Sequence, residues 1–424
     1  MNDQTINANT LGTLSSNGFS RSGYIFNGWN TEADGSGTTY NDASKYYAAA
    51  GTNTNSTTLY AQWIPMHNIT VNFSGGGITS VTFAGRTSGT ISSSGGTISL
   101  VQGAQYTITM NLSDEYEFSS WTLSSGSGTI SSTSTNPTTF TVGDGVATIV
   151  ATGKMQTTFS QAFTDANKSQ QDGYYKMQDM QSSICSSVSS GQTTTLIDTR
   201  DNKTYSVGKL TDGHCWLLDN LDLRISNSTV LSAMSNSNTN ASDDTLDRLK
   251  AGNGTTSDKY STGKIQYWNS VANSYSVPYT RYNTSVPTDS TSTTGGYTIG
   301  SYYNYCAATA GSYCYGNGSS SYGSSVGNAG EDICPSNWRL PQSSEYYTLY
   351  HQYNYSTLRT TLHLPLSGYV DKASEKSKGS YGYFWSSTRQ NNYYMQALYL
   401  TGSSVSPQSN QYRYYGYSVR CVAK

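Results

Sequence analysis

Through the first 154 residues, apolar and polar positions alternate in short bursts separated by Gly, Ser, Asn and Asp. YIFNGW, TLYAQW, ITVNF, SVTFAG, TISLV, QYTITMNL, FSSWTL, TTFTV and ATIVATG carry the period of half-buried strands. This pattern predicts a small β module over 1–65, with strands near 24–29 and 57–63 and a turn at Asp34-Gly35-Ser36-Gly37. Over 66–154 it predicts a β-sandwich of immunoglobulin-like size, with Trp121 and Phe140 in its core.

From 155 the pattern changes. Phe163, Ala166, Tyr174 and Met177 are spaced for one face of a helix over 161–180, although Gly173 weakens its middle. A hairpin follows, with strands 195–198 and 204–209 around a polar turn. Residues 225–300 offer only Leu246, Leu249 and Trp268 as apolar points, which predicts an insertion in a 155–424 domain. It is read either as packed over the core, with a short helix near 242–250, or as a flap. A second helix is expected over 343–353, capped by Gln342 or Ser343 with Glu345 in the first turn, turning Leu349 and some of Tyr346, Tyr347 and Tyr350 inward.

The last stretch, 379–424, strings polar and aromatic residues between framework anchors. Phe384 and Trp385 open it, Leu398, Leu400 and Val405 face inward, and Val419, Cys421 and Val422 close it in alternation. Between the anchors lie two runs too polar to form a core. The first supplies Arg389, Gln390, Asn391, Asn392, Tyr393 and Tyr394, with Gln396 just beyond; the second supplies Gln408, Asn410, Tyr412, Tyr414 and Tyr415. Tyr gives a rigid amphipathic contact at little entropic cost, and Asn and Ser add adaptable hydrogen bonding. These residues form the candidate ligand surface, with the tyrosines as anchors and Arg389, Asn391, Asn392 and Asn410 as polar readers.

Composition narrows the partners. Only 12% of residues are charged and the net charge is -2, so no basic footprint for nucleic acid or an anionic membrane is expected. The content of 37 Tyr against 9 Phe, with many strand-like segments, argues for ordered β-rich protein rather than disorder. No apolar run approaches the roughly 18 to 20 residues of a membrane span, and Met1-Asn2-Asp3 opens no signal peptide, so the chain is expected to start inside a longer protein. All six cysteines fall after residue 180, as in a disulfide-stapled extracellular domain. Fifteen pairings are open to six cysteines. Cys185 with Cys215, Cys306 with Cys314, and Cys334 with Cys421 are favoured; free buried thiols are the alternative.

Catalytic constellations are sparse. His67, His214, His351 and His363 form no HxxxH, and there is no paired CxxC, phosphate loop or nucleophile elbow. His214 beside Cys215 is read as a structural histidine next to a disulfide, and Glu331-Asp332 as a solvated turn in preference to a calcium site. No catalytic residue, metal or cofactor is expected.

Two sets of words carry family resemblances. GYIFNGW, DGSGTTY and LYAQW resemble the Listeria-Bacteroides repeat of bacterial surface proteins, which implies a β-grasp-like spacer over 1–65. DTRDNKTYSVGKL, HCWLLDNL, ICPSNWRLP, FWSST and YSVRCV, in that order over 196–424, resemble the Fibrobacter succinogenes major paralogous domain family. That resemblance implies an α+β fold similar to C-type lectins and to formylglycine-generating enzymes. The calcium and sugar words of the lectins (EPN, QPD and WND) are not reproduced. Variable proteins of diversity-generating retroelements share this domain type, and mutagenesis at adenine-rich codons yields Asn, Tyr and Ser at surface positions. Strand propensity and AT-rich coding would give the same texture.

The resulting expectation is a multidomain protein, mostly β then α+β, in which two spacer modules precede a lectin-like domain. It would be a non-enzymatic, extracellular or cell-surface binding protein for a protein or glycan ligand, such as one on another cell, with no nucleic-acid partner and no membrane insertion of its own. An undiversified adhesin, a stalk protein and an oxidative enzyme on the formylglycine-generating fold are the alternatives.

Overall fold

The computed structural model describes residues 1, 3–48, 56–223, 228–251, 267–269, 274–276, 297, 299–310, 327–371, 374–391, 394–413 and 415–424. The chain divides into two compact units, Met1–Gln156 and Thr157–Lys424.

In the first unit, β1 (Tyr24–Asn30) pairs antiparallel with the start of β2 (Tyr60–Ser74), where Trp29 is buried edge-on to Phe19 and Phe26. β2 runs unbroken through position 65, so the expected junction of the two modules lies inside one strand. Its second half lies against β4 (Gly96–Val101), which follows β3 (Ile78–Ala84). β5 (Gln105–Leu112), β6 (Tyr116–Ile130) and the 18-residue β7 (Thr138–Met155) complete the main ladder.

The strands expected to form a sandwich are joined in one continuous nine-stranded sheet. β7 is long enough to change partners along its length. It runs antiparallel to β5 at Thr138–Thr141 and parallel to β2 from Ala147, opposite Ile69, to Thr152. β6 follows β7 with register shifts; at one of them Gly128 adopts φ 141°, and a Cβ there would press into the Phe140 ring. Trp121 and Phe140 are core residues together with Ile69, Val71, Ile108 and Ile149, which are the inward positions of the alternation.

The second unit opens with α1 (Phe159–Asp165), capped by Thr158. The expected helix over 161–180 stops here. Asn167 takes φ 54°, and Asp172-Gly173 forms a turn at φ 52° and 85°, which is incompatible with continued helix. Phe163 and Met177 still reach one core cluster, but from separate elements. α2 (Ser182–Ser187) precedes the hairpin β8 (Thr193–Asp198) and β9 (Lys203–Lys209), then β10 (Cys215–Leu217). The described part of the 225–300 interval packs on the core through Val230, Met234 and Leu246, with a helix at Asp243–Ala251; most of the remainder lies outside the described residues.

β11 (Trp338–Arg339) leads into α3 (Ser343–Gln352) and α4 (Tyr355–Thr361). The Gln342 N–H donates to the Glu345 carboxylate at 2.6 Å, fixing the start of α3, which buries Tyr346 and Leu349 and leaves Tyr347 exposed. Strands β12 (Gly382–Arg389), β13 (Tyr394–Leu400) and β14 (Val405–Tyr412) form an antiparallel sheet edged by Gly327–Asn328. Finally β15 (Val422–Ala423) inserts between β10 and β11 in the six-stranded sheet. β12 is buried on both faces: Phe384 enters the cluster under α3, and Trp385 enters the cluster shared with β8–β10.

Disulfides join Cys185 to Cys215 and Cys334 to Cys421. Cys306 is disulfide-bonded, and its expected partner Cys314 lies outside the described residues. No described cysteine is free, which corrects the alternative of buried thiols.

Candidate ligand-binding surface

Strand alternation builds the candidate surface. On β13, Met395 and Ala397 point into the core, while Tyr394 and Gln396 lie on the opposite face. β14 is half-exposed throughout and turns Gln408, Asn410 and Tyr412 outward. The register places Tyr394 directly opposite Tyr412 and Gln396 opposite Asn410, so two segments well apart in sequence form one outward row. The two phenols meet with their ring centroids 4.8 Å apart, and the Tyr394 hydroxyl donates to that of Tyr412 at 3.0 Å. This bond, which favours the neutral phenol, raises the Tyr394 pKa.

The row continues into a polar network at the N-terminus of α3. Ser343 Oγ donates to Gln396 Oε1 at 2.5 Å, Gln396 Nε2 donates to Gln390 Oε1 at 3.2 Å, and Gln408 Nε2 reaches Ser343 Oγ at 3.4 Å. The Ser343 N–H donates to Thr388 Oγ1, whose hydroxyl donates to Asn328 Oδ1 at 2.7 Å. The β12–β13 connection is held by Asn391: its Oδ1 accepts the Tyr394 N–H at 2.8 Å, while the Gln390 and Asn391 N–H groups donate to the Tyr394 carbonyl.

Of the candidate residues, Tyr394, Gln396, Gln408, Asn410 and Tyr412 share this face, with Gln390 and Asn391 at its end. Arg389 does not join them as a surface reader: at 8% exposed, it closes β12 opposite Gly327 and Met395. Tyr415 lies apart, packed edge-on to Tyr369. Asn392, Tyr393 and Tyr414 lie outside the described residues.

Residues 1–62 match the Listeria-Bacteroides repeat domain. Residues 79–155 match the divergent InlB B-repeat domain, and residues 323–422, which contain the candidate surface, match a domain of unknown function, DUF8237. A protein of Evansella cellulosilytica described as a Gly-rich membrane protein is 46% identical over 56 residues, which is 13% of this chain and only 6% of that protein. No solved structure matches the chain. Repeats of the Listeria-Bacteroides type, together with the disulfides, suggest a surface-associated or secreted protein. Among the described residues, no helix is long and apolar enough to cross a membrane.

Sequence reasoning missed the polar residues that buttress the surface: Thr388 lies in the framework word FWSST, Ser343 reads as a helix cap, and Asn328 belongs to no motif.

The charged residues of the family words serve the interior. Arg200 and Asp198 form a fully buried ion pair at 2.7 Å, and Arg200 also donates to the Ile333 carbonyl. Asp332 is no solvated turn. Its carboxylate accepts the N–H groups of Cys334 and Leu340 and the Asn240 amide, and burial raises its pKa to about 6. These donors occupy both oxygens where the calcium alternative would place a cation. His214 Nδ1 lies 3.4 Å from Asp212, whose carboxylate also accepts the His214 backbone N–H and the Trp216 indole N–H, and the interaction with this carboxylate raises the histidine pKa.

Proposed function

We propose that the second unit is a non-enzymatic, lectin-like binding domain, presented at the bacterial surface by the repeat-bearing first unit. Its ligand is a protein or glycan, such as one on another cell. The observation that carries this reading is the outward pairing of Tyr394 with Tyr412 and Gln396 with Asn410, on strands whose other face is framework. Such a face can change its residues without changing the fold, which is what retroelement-directed diversification of these positions requires. The bonding of Cys334 to Cys421 supports binding over oxidative chemistry, since formylglycine-generating enzymes use reactive cysteines.

The test compares the full chain with Tyr394→Ala, Asn410→Ala and Tyr412→Ala for binding to immobilised cells and to a glycan array. Binding should fall sharply in each variant while stability moves by no more than about 0.5 kcal/mol, as for surface positions. Loss of folding, or undiminished binding, would remove the assignment. For diversification, the decisive observation is a reverse-transcriptase gene beside a near-copy of the 379–424 coding sequence that differs mainly at adenines.

A further inference from the structure

The two fully described disulfides lie in opposite electrostatic settings. Cys185 on α2 is bonded to Cys215 at the start of β10, and the Lys209 ammonium, at the end of β9, lies 3.8 Å from Cys185 Sγ. Lys209 is 7% exposed, and its Nζ donates to the Cys185 carbonyl at 2.9 Å and to the Gly213 carbonyl at 2.5 Å. Both of these partners are neutral. Asp212, the carboxylate that acts on Lys209 through space, accepts the His214 backbone N–H and the Trp216 indole N–H instead. The ammonium is thus buried beside a sulfur with neutral oxygens as its acceptors, and burial lowers its pKa.

Around Cys334–Cys421 the sign is reversed. The Asp332 carboxylate accepts the Cys334 N–H at 3.0 Å, and both residues are fully buried. Arg200 reaches the neighbouring Ile333 carbonyl, but its charge is already matched by Asp198. A thiolate formed at Cys334 would face a carboxylate, whereas one formed at Cys185 would give Lys209 a counter-ion. Cys185 is also 5% exposed, while Cys334 and Cys421 are at 0%, so a reductant reaches the first bond more readily.

We propose that Cys185–Cys215 is a redox-sensitive latch, opened by a dithiol reductant while Cys334–Cys421 stays closed, with Lys209 stabilising the Cys185 thiolate. One thiolate of the reductant attacks Cys185 Sγ; the Cys185–Cys215 bond breaks, and Cys215 leaves with the electron pair and takes up a proton. The second thiolate of the reductant then closes the reductant's own disulfide and expels Cys185 as a thiolate beside Lys209. Two electrons pass from the dithiol to the protein. The latch holds the segment through which the chain enters the second unit. Just beyond α2, the Ser189 hydroxyl accepts the Thr157 N–H at 2.8 Å, and the Ser189 N–H donates to the Thr157 carbonyl at 2.9 Å. Cys185 is the one cysteine between 157 and 189, so its disulfide is the covalent tie between this segment and the sheet of β8–β10. Opening it loosens α1 and α2 without touching the strands of the candidate surface.

The experiment equilibrates the native full chain in graded ratios of reduced to oxidised dithiothreitol, blocks free thiols with N-ethylmaleimide and scores Cys185, Cys215, Cys334 and Cys421 by peptide mass spectrometry. Cys185 and Cys215 should become labelled at a reductant ratio about tenfold or more below that for Cys334 and Cys421, a difference of about 30 mV. Lys209→Met should move the Cys185–Cys215 midpoint about tenfold toward more reductant, and Lys209→Arg, which keeps the charge, should restore most of the shift. In the selectively reduced protein, hydrogen exchange should quicken over 157–189 and stay unchanged over 382–423. Opening of Cys334–Cys421 first, or of both bonds together, overturns the latch. An unmoved midpoint in Lys209→Met overturns the part assigned to Lys209. Should that variant not fold, the pH profile of Cys185 alkylation in the reduced wild type decides the same point: a midpoint at or above the free-thiol value of about 8.5 overturns it, and a lower one supports it.

Discussion

The Arg420 guanidinium donates to Asn220 Oδ1 at 2.8 Å and to the carbonyls of Leu217, Leu218, Leu362 and His363. Burial lowers its pKa to about 10, yet it remains the cation that ties three chain segments together. Arg420→Met should cost about 3–5 kcal/mol in urea unfolding, because the orphaned carbonyls stay buried; a cost below about 1 kcal/mol would show that water replaces the guanidinium. Asp332 predicts a pH dependence. Its folded pKa of about 6 exceeds the unfolded value near 3.8, so its contribution to stability is full below about pH 3.8 and is lost as pH rises through 6. Asp201, also raised to about 6 by burial, acts in the same direction. The melting temperature should therefore fall between pH 5 and pH 7, and a rise over that interval would contradict the direction assigned to both groups. None of this was legible from local pattern: the partners of Arg420 lie 57 to 203 positions away, and its letter reads equally well as a surface charge.

The elements that define the candidate surface were more legible. Inward Leu398 and Leu400, and the close of the chain by Val419 and Cys421, follow from period-two alternation, and all four are fully buried. The start of α3 was equally readable, because Gln342 and Glu345 are a local capping pair. The false helix over 161–180 shows the limit: apolar spacing matched one face, but Asn167 and Asp172-Gly173 take the positive-φ conformations that Asn, Asp and Gly tolerate, and these broke it. Two positions on one face of β13 make a quantitative contrast. Leu398→Ala should cost about 2–5 kcal/mol through the cavity it leaves under α3, whereas Gln396→Ala, on the same strand at the edge of that cover, should cost about 1 kcal/mol or less. Chemical denaturation of the two variants checks the pair, and comparable costs would mean that Gln396 is framework.

At the level of the whole molecule, the disulfides belong to one unit. Cys334–Cys421 closes a loop of 87 residues, for which chain entropy gives about 4.6 kcal/mol, while the first unit contains no cysteine. Reduction should accelerate hydrogen exchange in peptides from 196–223 and 382–423 and leave those from 66–155 unchanged; a response in both units would show that they share stability. The division near 156 was legible as a change of hydrophobic pattern, but the route of the sheet through position 65 was not, because nothing in a strand's own alternation reveals its partners. That sheet has a mechanical consequence. β2 and the end of β7 run parallel, paired from Ile69 with Ala147 to Ser74 with Thr152. Tension entering where β2 begins and leaving where β7 ends pulls the two strands past each other, so every hydrogen bond between them bears load together instead of parting one at a time.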